Sequence, residues 1–80
     1  MKIPVIKKLV EAHTIEELQA AETALYEEQK PAIEVKGEDE GEQLTHVLAA
    51  VFIKEDMAAN GSDLKTALRA YTLKVRNSIS

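Results

Sequence analysis

The sequence predicts an all-α protein: a compact four-helix domain with helices at about residues 4–12, 15–30, 41–60 and 63–78 and a short extended segment at 32–36. Two observations carry this reading. Apolar residues recur at steps of three and four along most of the chain, which is the spacing of one face of an α-helix. Residues that start or stop helices, namely Thr14, Pro31, Asp39 and Gly61, fall between the periodic stretches.

In the first helix Ile3, Val5, Ile6, Leu9 and Val10 supply the apolar pattern. Pro4 suits the first turn, where its missing N–H is no loss. Thr14-Ile15-Glu16-Glu17 is a capping box, in which the threonine hydroxyl accepts from the backbone of Glu17 and the Glu17 carboxylate reaches back. The second helix therefore starts there and places Ile15, Leu18, Ala21 and Leu25 on one face. Pro31, which disfavours helical geometry for Lys30, is expected to stop it. From Ala32 to Lys36 apolar and polar residues alternate, which suits an extended stretch across the core. Asp39 and Glu42 match a cap with an acid three positions on, and Gly61 offers the left-handed residue that closes the third helix. Ser62 and Asp63 open the fourth, whose buried stripe is Leu64, Leu68, Tyr71 and Val75.

Eighty residues make one domain, residues 1–80, and a core this small is commonly supplemented by disulfides, a metal or a second chain. Cysteine is absent, so disulfides, thiolate metal sites and cysteine nucleophiles are excluded together. The longest apolar run, Val47 to Ile53, falls far short of the roughly 20 residues a bilayer span needs, and no signal-peptide pattern is present. A cytoplasmic protein without membrane contact is the expectation.

The third helix is apolar on more than one side. Leu44, Val47, Leu48, Val51 and Phe52 form one stripe, read as the core face, and His46, Ala50, Ile53 and Met57 form another. A helix apolar all round must be covered all round, and a four-helix domain of this size can hardly do so alone. A second copy of the chain is the economical cover, with Leu73 of the fourth helix joining the same face. The expected dimer interface is thus His46, Ala50, Ile53, Met57 and Leu73.

The net charge of −4 is unevenly spread. Residues 11–42 hold eleven acids against Lys30 and Lys36, a local charge of −9, while residues 43–80 hold five basic and three acidic side chains. The stretch Glu34, Glu38, Asp39, Glu40 and Glu42 is the expected surface for an unidentified, basic protein partner. It lacks the ligand spacing of an EF-hand loop, and neither histidine belongs to a helical pair of metal ligands, so no metal is expected. No phosphate loop, nucleophile elbow or dinucleotide fingerprint occurs, and neither a cofactor nor catalytic residues are expected. Two alternatives stand beside the interaction module. One is a helix-turn-helix regulator reading DNA through Lys65, Arg69, Thr72 and Arg76 of the fourth helix, disfavoured by the acidic chain as a whole. The other is a small enzyme centred on Glu42 and His46, which share a helical face.

The opening Met-Lys-Ile-Pro-Val-Ile-Lys-Lys-Leu-Val and the segment Gly-Glu-Asp-Glu-Gly-Glu-Gln-Leu-Thr-His-Val-Leu-Ala-Ala resemble a family of short bacterial proteins of unknown function. The resemblance spans essentially the whole chain. It implies a non-catalytic accessory to thiol redox enzymes, through relatives encoded beside thioredoxin-like and peroxiredoxin proteins, and it brings no functional residues with it.

Overall fold

The computed structural model describes residues 2–79, with side chains described through residue 76. Among these residues the chain forms four α-helices and no strand: α1 (Ile3–Ala12), α2 (Ile15–Tyr26), α3 (Glu40–Asn60) and α4 (Leu64–Ile79). α3 is the central element, and α1, α2 and α4 all pack against it. The result is a body of about 31 × 29 × 19 Å. The all-α four-helix fold is the one the periodicity predicts.

Helix starts follow the capping signals. At α2, Thr14 Oγ1 accepts from Glu17 N–H at 3.2 Å and Glu17 Oε1 accepts from Thr14 N–H at 2.9 Å, which completes the capping box. At α3, Asp39 Oδ1 accepts from Glu42 N–H at 2.7 Å. At α4, Asp63 Oδ1 accepts from Thr66 N–H at 2.8 Å. Gly61, at φ 65°, closes α3 in the left-handed conformation that glycine adopts without steric cost.

One boundary differs from expectation by more than a single residue. α2 ends at Tyr26, four residues before the position that Pro31 enforces. Gln29 N–H donates to Ala24 O at 2.7 Å and Glu28 N–H to Leu25 O at 3.2 Å, the paired bonds of a Schellman turn. Glu28 takes the left-handed position at φ 58°. The physical reason lies in the sequence of that last turn. Residues 27–30 carry no apolar side chain, so a further turn of helix would bury nothing, whereas leaving early lets Ile33 and Val35 reach the core. Between α2 and α3 the expected alternation holds as burial without a strand. Ile33 is half-buried and Val35 buried, while Ala32, Glu34 and Lys36 face out.

The core joins Ile6, Leu9 and Val10 of α1 with Leu18, Ala21 and Leu25 of α2 and Val47, Ala49, Ala50 and Ile53 of α3; α4 contributes Ala67. On α3 the buried residues cover an arc of roughly 200° at 100° per residue. The two faces of α3 are placed otherwise than the sequence reading had them. The stripe read as core is mixed: Val47 and Val51 are buried, Leu44 and Phe52 only partly, and Leu48 is 37% exposed. His46, Ala50 and Ile53, read as the face for a second chain, are wholly enclosed within this chain. Ala49 and Ala50 explain the difference, since their small side chains are buried where the neighbouring helices come in to pack on α3.

Candidate functional site

Among the described residues His46 is the one polar residue with a fully enclosed side chain, and its ring is held on both sides. Nδ1 lies 2.7 Å from the carbonyl oxygen of Lys36, and Nε2 accepts the backbone N–H of Lys2 at 3.0 Å. A carbonyl oxygen can only accept, so Nδ1 carries the proton and Nε2 presents its lone pair, which is the neutral ring in a defined tautomer. Both nitrogens are thereby consumed by backbone groups. They tie the start of α1 and the α2–α3 connection to the second turn of α3.

Glu42, one turn earlier, accepts from Glu38 N–H at 2.9 Å through Oε1 and so stabilises the entry to α3. The enzyme alternative asks an acid–base centre of these two residues, and both ring nitrogens of His46 are engaged by backbone groups. His46 has no exposed face for a substrate and no lone pair left for proton transfer. His13 caps the C-terminal end of α1, with Nδ1 3.9 Å from Glu17 Oε2. Among the described residues no three histidine or carboxylate side chains are placed to hold a metal ion. Nor is any helix long and apolar enough to cross a membrane.

The shifted acids are structural. The Glu17 carboxyl is held below the ordinary carboxylate range first by the Thr14 backbone N–H it accepts, and Asp63 likewise by Thr66. Burial raises the Tyr71 hydroxyl.

Of the remaining candidates, Glu34, Glu38, Asp39 and Glu40 are exposed and Glu42 is half-buried. Glu34, Glu38 and Asp39 sit on a connection fixed by the Lys36–His46 bond, the burial of Val35 and the Asp39 cap, and Glu40 and Glu42 follow in the first turn of α3. Met57 is half-buried and Leu73 is 50% exposed, so these two are the members of the expected dimer interface that reach the surface. Lys65, Arg69, Thr72 and Arg76 are exposed along α4 and, with Ile3, Leu68 and Leu73, line a surface groove of about 290 Å³. A second groove, about 400 Å³, lies between α1 and the connection, over Pro4, Val5, Leu9 and Ala12. Two features escaped the sequence. Lys54 Nζ donates to the carbonyl of Val10 at 2.8 Å and so caps the end of α1 from α3. The pinning role of His46 also went unread, although a histidine within an apolar face carries the general signal of a satisfied core polar group.

Fold and surface together define a small all-helical domain whose enclosed histidine is held by two backbone groups and whose residues Glu34, Glu38, Asp39 and Glu40 are exposed. The chain belongs to a family of unknown function, DUF6952, whose model matches residues 1–80. No curated protein and no solved structure matches it.

Proposed function

We propose that this protein is a non-catalytic protein–protein interaction module that works as a homodimer and presents Glu34, Glu38, Asp39, Glu40 and Glu42 to a basic surface on a protein partner. The observation that supports this reading is the pinned α2–α3 connection. Fixed in place by His46 and Val35, it displays its carboxylates without the ordering cost that a loose loop would incur on binding. A thiol redox enzyme is the partner class implied by the sequence resemblance, and this chain, lacking cysteine, would act beside such an enzyme rather than exchange thiols with it.

A capture experiment with the tagged chain, at low and moderate salt, tests the reading. A protein retained by the wild type, weakened by salt and lost on reversing Glu38, Asp39 and Glu40 to lysine is the expected result. Retention by the reversed variant overturns the acidic surface. A second reading, DNA bound through α4, has one observation in its favour, the exposed row of Lys65, Arg69, Thr72 and Arg76. Under it, nucleic acid would be captured and lost in an Arg69→Ala, Arg76→Ala variant, with protein capture unaffected by those changes.

A further inference from the structure

Resting on the reading of this chain as a self-associating module, we propose that two copies pair through α4 in parallel, about a two-fold axis running along that helix. The outer ridge of α4 is Thr66, Ala70 and Leu73, all exposed, with two small side chains that permit close approach. At 100° per residue, the two flanks of this ridge differ in character. On one flank Tyr71 meets Phe52 of α3 with ring centroids 5.3 Å apart, and Lys74 Nζ stands 4.6 Å over the same ring. Beyond them lies a shallow apolar patch on α3, with Leu48, Val51, Phe52 and Ala59, that carries the acids Glu55 and Asp56. On the other flank is the groove with Ile3, Leu68 and Leu73 as its apolar part and Lys65, Arg69 and Arg76 as its charges.

Symmetry then selects the arrangement. An axis running across α4 sets each flank against its own copy, so that Lys65, Arg69 and Arg76 meet the same three cations and the flank of Glu55, Asp56 and Lys74, which is acidic on balance, meets itself. An axis running along α4 exchanges the flanks, so that each copy's Glu55 and Asp56 meet the other's Lys65, Arg69 and Arg76 twice over. The second is the more complementary, because it sets the all-cationic flank against the flank that is acidic on balance. It also covers Leu48 at 37% and Leu73 at 50% exposure, two of the large apolar side chains left on the surface.

The test is sedimentation of the full chain at about 100 µM, where a micromolar pair is mostly formed. A Glu55→Lys, Asp56→Lys chain and an Arg69→Glu, Arg76→Glu chain should each sediment as one chain, and an equimolar mixture should regain the two-chain mass, because every flank then faces its opposite. Wild type at one-chain mass overturns the self-associating module itself. A wild-type pair that survives both reversals, or a mixture that stays at one-chain mass, overturns this surface and leaves the module standing. Because the chain has no cysteine of its own, Thr66→Cys and Leu73→Cys give a second measurement on separately purified chains. Both should form disulfide-linked pairs with themselves in a parallel arrangement; if only one of them, or neither, does so, the parallel arrangement is overturned.

Discussion

His46 links three parts of the chain through two hydrogen bonds, and its replacement measures what they contribute. Substituting phenylalanine keeps an aromatic ring in the cavity but strands the Lys2 N–H and the Lys36 carbonyl without partners, so His46→Phe should lower unfolding free energy by about 2–4 kcal/mol. Urea denaturation with an unchanged slope is the measurement, and a loss under about 0.5 kcal/mol would show that water serves those groups equally well. Glu28 poses the reverse case. Its side chain occupies a backbone region that costs a non-glycine residue roughly 1–2 kcal/mol, so Glu28→Gly should stabilise the protein, by about 0.5–1 kcal/mol once the looser unfolded chain is counted. A lower thermal midpoint for that variant would show that the glutamate side chain itself holds the turn.

At the scale of elements, the caps predict how stability depends on pH. Glu17 and Asp63 have folded values below those of the unfolded chain, so their stabilisation is complete above the ordinary carboxylate range and is lost as pH falls through the lowered folded values. Tyr71, raised by burial, contributes below the ordinary phenol range and loses its contribution as pH climbs through the raised value. Thermal midpoints followed from neutral pH into acid should fall less steeply for a Glu17→Gln, Asp63→Asn variant than for wild type. The same caps were readable in advance, because Thr14, Asp39 and Gly61 act on their immediate neighbours and need no tertiary structure. The end of α2 was not. A Schellman turn closed by glutamate leaves no compositional mark, and Pro31 only states where a helix can no longer continue.

For the whole molecule, the order of helices was legible and their mutual orientation was not. A helix apolar on most of its circumference has no preferred direction in the sequence; α1, α2 and α4, all packed on α3, decide which side is core. The cost of truncation distinguishes the two assignments. Ile53→Ala removes a completely enclosed side chain and should destabilise by about 2–5 kcal/mol. Leu48→Ala, at a position 37% exposed, should cost roughly 1 kcal/mol or less in the separated chain. Chemical denaturation of the two variants at low concentration checks this, and the reverse order would restore the stripe through Leu48 as the principal core face. The candidate site shares this history: the acids around Asp39 were visible as composition, while the fixed path that displays them depends on a hydrogen bond between residues 36 and 46.

The bond from Lys2 to His46 spans 44 positions of the chain. During synthesis at about 5–20 residues per second, α1 therefore emerges several seconds before the helix that covers it. Ile6, Leu9 and Val10 stay open to water, or to a chaperone, for that interval. A nascent chain halted before α3 should be bound by such holdases and cut readily within α1, and protection should arrive abruptly once α3 has cleared the ribosome.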